Sequence, residues 1–166
     1  MTMTLDPTEF RNAMARFASG VTVCTTNNGA GRPVGFTASS FSSLSLDPPL
    51  LLVCLQKDAD CYQAFIDAEL FAVSILGHGQ SDIARRFATK AIDKWAGTPT
   101  VAGPVTGFPL IPGGVAQIEC RMFGQAPGGD HTILVGEVIW ADCDEDREPL
   151  LHYNRTFGHF ALDASA

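Results

Sequence analysis

The sequence predicts a mainly β fold with appended helices, arranged as an antiparallel barrel. Segments rich in β-branched and apolar residues outnumber helical ones, tight turns join several of them into hairpins, and only three stretches show helical spacing. With 166 residues, of which 46% are hydrophobic and 17% charged, the chain has the size and composition of one globular domain. We therefore interpret residues 1–166 as a single domain.

Six segments are predicted to be strands because they are dense in β-branched or large apolar side chains. The turn signal Asn27-Asn28-Gly29 joins the first two strands, and Pro127-Gly128-Gly129-Asp130 joins the last two. The predicted strands cover residues 21–26, 34–37, 50–55, 70–76, 115–123 and 131–141.

The first predicted helix begins at Asp6, a carboxylate N-cap that is followed by proline and completed by Glu9 as in a capping box. Phe10, Met14 and Phe17 recur at helical spacing, which predicts one apolar stripe and a helix that packs on the core. We expect this helix to end at Gly20.

Two shorter helices are predicted at 61–68, with Phe65 facing inward, and at 80–88, with Ile83 and Phe87 on one face. Residues 90–114 are rich in Gly, Pro and Thr, so we expect a surface loop anchored by Trp95. Long irregular segments of this kind are often lids or binding loops.

Charge and cysteine content exclude several classes of function. A net charge of −7 argues against nucleic-acid binding, since phosphate contacts need a basic face. Neither a signal peptide nor an apolar run long enough to span a membrane is evident. Five widely spaced cysteines without a Cys-x-x-Cys pair fit a reducing cytoplasm better than a disulfide framework, and no spacing suits a metal site.

The most informative stretch runs from Gly35 to Leu55. Residues 38–45 are rich in small hydroxyl side chains and predict a loop, Asp47-Pro48-Pro49 interrupts the backbone, and 50–55 is a buried strand. A hydroxyl-rich loop between two buried strands suits a polar, anionic or heterocyclic ligand, although an ordinary Ser-rich loop has the same composition.

Thr37-Ala38-Ser39-Ser40-Phe41-Ser42-Ser43-Leu44-Ser45-Leu46-Asp47-Pro48-Pro49-Leu50 resembles the signature segment of the flavin reductase-like family. The resemblance covers roughly residues 10–160. It implies an antiparallel Greek-key split β-barrel of the FMN-binding type, and it places a flavin against the signature loop and the end of the buried strand. The flavin-binding residues implied are Phe36, Thr37, Ala38, Ser39, Ser40, Phe41, Cys54, Leu55, Gln56 and Lys57.

Arg86 and Phe87 resemble a further family segment that approaches the flavin, although Phe87 is equally well explained as core packing. Lys57 is a candidate phosphate partner or simply a solvated lysine. One departure concerns the phosphate contacts: where many relatives have Ser and Thr after the buried strand, this chain has Ala59 and Cys61.

His131 is the candidate catalytic residue. A lone histidine at the start of a strand is more often structural, but Gly129-Asp130-His131 resembles a turn that lies near the nicotinamide in relatives. Hydride transfer needs no protein nucleophile, so His131 is expected to position the dinucleotide or donate a hydrogen bond. Asp130 either orients the imidazole or stabilises the turn. Tail residues implied to help bind the dinucleotide are Tyr153, Arg155 and Phe157.

The resemblance therefore implies an NAD(P)H-dependent flavin reductase, usually a homodimer, that supplies reduced FMN or FAD to a partner monooxygenase. The alternatives are an electron-transfer flavoprotein of the same fold that does not oxidise NAD(P)H, and a non-enzymatic ligand-binding module. No Gly-x-Gly-x-x-Gly motif indicates a Rossmann-type site. The residues do not decide between FMN and FAD, or between NADH and NADPH. The second choice depends on a cation beside the ribose of the dinucleotide, for which the candidates are Arg121, Arg155 and Lys94, or none of these.

Overall fold

A computed structural model describes residues 5–160, which form three helices and twelve strands in antiparallel sheets. The helices are α1 (Pro7–Met14), α2 (Tyr62–Ile66) and α3 (Ser81–Ala88). The strands are β1 (Ser19–Gly20), β2 (Thr22–Asn27), β3 (Pro33–Ala38), β4 (Phe41–Leu46), β5 (Pro49–Gln56), β6 (Leu70–Ile75), β7 (Val101–Ala102), β8 (Pro109–Leu110), β9 (Ala116–Gly128), β10 (His131–Cys143), β11 (Leu150–Tyr153) and β12 (Thr156–His159).

The main sheet has seven strands in the order β3-β2-β6-β9-β10-β5-β4. Its two edge strands, β3 and β4, are consecutive in sequence and joined only by Ser39 and Ser40. Six strand spacings of about 4.8 Å would separate the edges of a flat sheet by roughly 29 Å. The link from Ala38 to Phe41 spans at most about 11 Å, so the sheet is curled into a barrel that is split between β3 and β4. The predicted mainly β split barrel is confirmed.

Long strands and bulges allow this curl. β9 and β10 pair over almost their whole length, with register shifts between Val135 and Gly136 and between Val138 and Trp140. Such bulges bend a strand and increase its twist. The predicted hairpins are both present, and the β9–β10 turn is tight, with Gly129 at φ 71°.

The core has two parts. The larger part fills the barrel and includes Phe36, Val53, Phe65, Phe71 and Leu134, all nearly inaccessible to solvent. The inward orientation predicted for Phe65 is therefore confirmed. The second part lies between the barrel, α3 and the small sheet β1-β11-β12, and its buried residues are Val21, Val23, Leu76, Ala84, Phe87, Ile111 and Leu150.

The prediction of a loop at 38–45 is wrong beyond Ser40, because Phe41–Leu46 is an edge strand paired with β5. The serines suggested a loop by composition, yet an edge strand needs backbone pairing on one side only and leaves its hydroxyl groups in solvent. Strand preference depends strongly on that context.

The first helix also differs from its prediction. It begins at the predicted N-cap, with Asp6 accepting a 2.7 Å hydrogen bond from Thr8 N, but it ends at Met14 rather than Gly20. The following residues turn away, Asn154 N donates to Ala15 O, and Ser19–Gly20 pairs with β11. None of the residues in α1 is buried, so the prediction of a packing helix is wrong: Phe10 and Met14 stay about half exposed.

The segment after α3 is irregular, as predicted, except for the short β7–β8 ladder. Buried Glu119 of β9 holds it in place by accepting hydrogen bonds from the backbone N–H groups of Val105 and Thr106 and from the Thr106 hydroxyl. Because a buried carboxylate must have its oxygens paired, these contacts fix the path of the loop.

Candidate active site

A cleft of about 270 Å³ opens where the two edges of the barrel meet. It joins ten of the residues that the sequence assigned to cofactor binding or catalysis, although they come from four separate parts of the chain. These ten are Phe36, Thr37, Ala38, Ser39, Ser40, Cys54, Leu55, Gln56, Phe87 and His131; the remaining lining residues are Ala59, Asp60, Ala88, Lys90 and Lys94.

Backbone groups on β3 supply polar contacts to this cleft. As an edge strand, β3 pairs with β2 on one side only, so alternate N–H and C=O groups are free to meet a ligand. The Thr37 hydroxyl donates to Ala84 O at 2.7 Å and ties β3 to α3. That proton is committed to Ala84 O, so Thr37 Oγ1 can accept a hydrogen bond from a ligand but does not donate one.

Ser39 and Ser40 occupy the split itself. Both are exposed, and Ser40 is fixed against β5 by Cys54 N donating to Ser40 O at 3.1 Å. The Ser40 hydroxyl also donates to Cys54 O, at 3.3 Å. The link between the two barrel edges is thus held in position, with the Ser39 side chain at the cleft surface.

Phe87 lies directly behind the lining of the cleft, but at 1% exposure it belongs to the core. Its ring packs on the backbone of Gly35 and meets the Trp95 indole edge to face, with centroids 5.0 Å apart. The two interpretations of Phe87 are therefore compatible. The predicted anchor role of Trp95 is confirmed by this contact, since the indole is partly buried against the second core cluster.

His131 lies at the rim of the cleft because it pairs with Gln56, the last residue of β5. Its Nδ1 lies 2.7 Å from Asp130 Oδ1, and 38% of the His131 side chain is exposed. The hydrogen bond to His131, reinforced by its charge, lowers the pKa of the Asp130 carboxyl below its ordinary value. The carboxylate fixes the orientation of the ring and leaves Nε2 as the nitrogen available to a ligand.

Lys57 supports this turn rather than lining the cleft. Its Nζ donates to Gly129 O at 2.7 Å, and its backbone N donates to Asp130 O at 2.9 Å. Both bonds hold the turn that carries His131, so Lys57 helps to position the imidazole.

Lys90 and Lys94, which the sequence did not assign to flavin binding, line the cleft, whereas Lys57 does not. Lys94 Nζ donates to Gly35 O at 3.1 Å, and Lys90 Nζ lies 2.8 Å from Asp58 Oδ2. Asp60, Ala88 and Lys90 were missed altogether, whereas Lys94 was considered only as a ribose-side cation. For Lys90 and Lys94 the available signal was the irregular segment 90–114, which the sequence predicts to be a surface loop without assigning either lysine to the flavin. Asp60 and Ala88 lie outside that segment.

Ala59 and Cys61 stand where many relatives have Ser and Thr, and neither presents a hydroxyl group in the structure. Ala59 lines the cleft without a hydroxyl group, and Cys61 is buried. Burial raises the pKa of the Cys61 thiol to about 11, so this residue stays a neutral, weak hydrogen-bonding group. Neither side chain offers a hydroxyl group to a ligand at this end of the cleft.

Besides Lys57, five assigned residues lie outside the lining of the cleft. Phe41 packs against the barrel core, and Arg86 donates to Ala96 O and to the Thr98 hydroxyl, which stabilises the segment after α3. Tyr153, Arg155 and Phe157 belong to the β11–β12 hairpin: Phe157 packs on the second core cluster beneath Arg85, and Arg155 donates to Asn12 Oδ1 at 2.8 Å.

Arg155 nevertheless borders a second, mainly apolar groove that adjoins the cleft. This groove of about 590 Å³ is lined by α1 and the hairpin, and it shares Ser39 and Ser40 with the cleft. The apolar residues that line it are Phe10, Met14, Ala15 and Phe17. The dinucleotide role assigned to the tail stays a prediction.

Two classes of feature are not found in residues 5–160. No group of three or more His, Cys, Asp or Glu side chains there is placed to hold a metal ion. No helix in this range is long and apolar enough to cross a bilayer. The five cysteines are all free thiols.

Residues 14–161 match the family model described as "Flavin reductase like domain". The chain is 42% identical to the NADH-dependent FAD reductase of Streptomyces globisporus, covering 96% of this chain and 88% of that protein. It is 41% identical to the NADH:riboflavin 5'-phosphate oxidoreductase of Streptomyces pristinaespiralis, covering 91% and 86%. The structure superposes with a TM-score of 0.91 on the NADH:FAD oxidoreductase of Streptomyces globisporus C-1027 in complex with NAD and FAD fragments, at 41% identity over 99% of this chain and all of that one.

Proposed function

The chain belongs to the flavin reductase-like family, and we propose that it is an NADH:flavin oxidoreductase that reduces FMN or FAD and delivers the reduced flavin to a partner monooxygenase. The observation that carries this proposal is the cleft at the barrel split. It combines the free edge of β3 with a histidine at the rim and two lysines, and it contains most of the residues assigned to the site from sequence.

The residues present fit a flavin. The free edge of β3 can offer N–H groups to the pyrimidine edge of the ring. Ala38, Leu55 and Phe87 are buried and form the apolar floor behind the cleft. Lys90 and Lys94 place positive charge at the same cleft, where a phosphate needs it. One side of the cleft is open to solvent, so a second ring can approach.

Bound flavin supplies the hydride acceptor, and the reduced nicotinamide supplies the hydride. The chain's own residues bind and orient the two rings and exclude water from the cleft. His131 is the residue best placed to contact the dinucleotide, because Asp130 fixes its ring and Lys57 fixes the turn beneath it. We assign His131 Nε2 to a hydrogen bond with the dinucleotide rather than to a covalent step.

NADH is proposed as the reductant. Two relatives, at 42% and 41% identity, are named as an NADH-dependent FAD reductase and an NADH:riboflavin 5'-phosphate oxidoreductase. Parallel assays with NADH and NADPH decide whether the protein also oxidises NADPH.

A monooxygenase is proposed as the recipient of reduced flavin. Among the relatives, the reductase subunit HsaB of a flavin-dependent monooxygenase from Rhodococcus jostii is 36% identical over 90% of this chain and 75% of that protein. Reduced flavin reacts with oxygen when it is released, so such a reductase is useful only together with an enzyme that captures it.

A homodimer is proposed as the functional unit. Phe10, Met14 and Phe17 are 52%, 55% and 77% exposed, a clustering of large apolar side chains that commonly marks an interface. They line the groove that adjoins the cleft at Ser39 and Ser40, so a second copy seated there would border the cleft. We expect Phe17→Asp to shift the species measured by size exclusion with light scattering toward the monomer; a wild-type monomer would contradict the proposal.

The alternative function is an electron-transfer flavoprotein that holds flavin without oxidising NADH. Steady-state consumption of NADH with flavin in large excess over protein separates the two. A reductase oxidises many equivalents of NADH per chain, and the rate rises with flavin concentration. Consumption limited to one equivalent, or none, supports the electron carrier. A cytoplasmic location remains a prediction from the free cysteines.

A further inference from the structure

The turn that follows β5 carries two carboxylates that contact the start of the segment after α3. Asp58 Oδ2 lies 2.8 Å from Lys90 Nζ, and Asp60 Oδ2 accepts a 2.7 Å hydrogen bond from Ala91 N. These contacts hold two consecutive residues of the segment, although 31 positions separate Ala91 from Asp60 in the sequence. The function proposed above gives neither carboxylate a role.

Ala91 has an unfavourable backbone conformation. Its φ of 56° lies in the left-handed region, which residues with a Cβ atom rarely adopt. Such a conformation persists only when its surroundings hold it. The Ala91 side chain is exposed, so packing of that side chain does not supply the support. The hydrogen bond from Ala91 N to the Asp60 carboxylate does.

This turn lies between the two lysines of the cleft. Lys90 precedes Ala91 and Lys94 follows it by three residues, and both lysines line the cleft. The far end of the segment is held independently: Lys94 Nζ donates to Gly35 O at 3.1 Å, and the neighbouring Trp95 packs against the second core cluster. The conformation at Ala91 therefore sets the distance and direction between the two ammonium groups.

We propose that Asp60 is a positioning residue for the 5'-phosphate of the flavin: by fixing the turn at Ala91, it holds Lys90 and Lys94 where they bind the phosphate together. The inference rests on the proposed function, because it assumes that a flavin occupies the cleft. Asp60 acts through the two lysines and makes no bond to the phosphate itself, since an ionised carboxylate has no proton to donate.

The charge of Asp60 opposes the role of its hydrogen bond. The carboxylate lines the same cleft, so it repels an anionic group bound there. What supports Ala91 is an acceptor oxygen, which an asparagine amide also offers. Asp60→Asn therefore keeps the support and removes the repulsion, whereas Asp60→Ala removes both.

Binding of FMN and of riboflavin tests the proposal, because riboflavin has the same ring system without the phosphate. Quenching of flavin fluorescence gives both Kd values. We expect Asp60→Ala to raise the Kd for FMN about fivefold, the effect of one exposed hydrogen bond, and to leave the Kd for riboflavin within about twofold of wild type. Asp60→Asn should bind FMN at least as tightly as wild type. Asp67→Ala is the control: Asp67 is an exposed carboxylate that accepts a 2.8 Å hydrogen bond from Gln63 outside the cleft, and its loss should change neither Kd.

Two substitutions at Ala91 alter the same turn without touching the carboxylate. Ala91→Gly removes the cost of the left-handed conformation, so adding it to Asp60→Ala should restore FMN affinity at least in part. Ala91→Val adds a β-branched side chain that disfavours the conformation, and it should raise the Kd for FMN as Asp60→Ala does. The side chain at position 91 is exposed and does not line the cleft, so both effects reach the flavin through the backbone.

Three results would overturn the proposal. The first is an unchanged Kd for FMN in Asp60→Ala. The second is an equal loss of FMN and riboflavin binding, which would make Asp60 a purely structural residue. The third is equally weak FMN binding in Asp60→Asn and Asp60→Ala, which would show that the charge and not the acceptor oxygen matters. The expected Kd values without oxidation of NADH by the wild-type protein would contradict the reductase function and still support the role of Asp60.

Discussion

The Phe87 ring lies directly against the backbone of Gly35, where a Cβ atom would come within 3.1 Å of Phe87 Cε1 and 2.7 Å of Cys24 O. This contact sets the distance between α3 and the edge strand β3, which lines the cleft. Only glycine permits the approach, because any side chain at this position would have to displace backbone as well as the ring.

We therefore expect Gly35→Ala to destabilise the protein by about 1–3 kcal/mol, as overpacked sites do. For a chain of this length, each kcal/mol lowers Tm by about 2–4 °C. Gly124→Ala is the matched control, since Gly124 also lies in a strand but a Cβ there meets nothing within 4 Å. Thermal unfolding followed by circular dichroism compares the two, and equal Tm values would contradict the role of the Gly35–Phe87 contact.

Glu119→Gln is expected to loosen the segment that carries Val105 and Thr106. The glutamine amide replaces one acceptor oxygen by a donor, which leaves at least one partly buried N–H without its partner at a cost of about 1–3 kcal/mol. Hydrogen exchange should accelerate at residues 103–108. Glu137→Gln removes a partly exposed ion pair with Arg121 and should cost less than about 1 kcal/mol. Unchanged protection in Glu119→Gln would refute the anchoring role.

Ser39→Trp is expected to block flavin binding without unfolding the barrel. Ser39 is exposed at the split, so an indole there fills the cleft rather than the core. Ser42→Trp provides the comparison, because Ser42 is exposed on β4 but does not line the cleft. A flavin titration should show at least a tenfold weaker Kd for Ser39→Trp alone, with both variants near wild-type Tm. Retained binding would move the flavin site elsewhere.

His131→Ala is expected to reduce kcat/KM for NADH by roughly tenfold, the value of one hydrogen bond of about 1–2 kcal/mol, while flavin binding persists. Lys57→Met, which removes the bond to Gly129 O, should produce a smaller effect of the same kind because it acts through the turn. A flavin-loaded His131→Ala protein with the wild-type rate would remove His131 from the mechanism.

The Asp130–His131 pair also predicts a pH dependence. The pKa of Asp130 is lowered in the folded protein, so its contribution to stability is complete above the unfolded value of about 3.9 and is lost as the pH falls through the lower folded value. Because Asp130 is exposed, salt weakens the effect. Carboxyl NMR should show the Asp130 pKa rising toward its ordinary value in His131→Ala. An unchanged pKa would mean that the imidazole is not its partner.

Local patterns predicted six of the seven strands of the main sheet, because runs of hydrophobic and β-branched residues favour buried strands, as at 50–55 and 70–76. The short strands β1, β7, β8, β11 and β12 were not predicted. The resemblance of the segment from Thr37 to Leu50 predicted the split barrel and most residues of the cleft. The composition of the same segment misled at β4, where serines compatible with a loop pair with β5 instead. Whether such a segment forms a strand depends on its position in the sheet, and a local sequence pattern does not reveal that position.

Dependence on the folded structure also explains why the exposure of α1 and the positions of Lys90 and Lys94 were not predicted. The apolar stripe of Phe10, Met14 and Phe17 indicates that something covers it, but periodicity does not distinguish the chain's own core from a second copy. Lys90 and Lys94 lie more than 30 residues beyond β5, and only the folding of an irregular segment brings them to the cleft that Lys57 was expected to serve.

The most direct test of the central claim is flavin absorbance during anaerobic mixing of the purified protein with excess FMN or FAD and NADH, repeated with NADPH. The account predicts that NADH bleaches the flavin band over many turnovers, faster than NADPH. A bound flavin whose absorbance neither dinucleotide changes would contradict the reductase function.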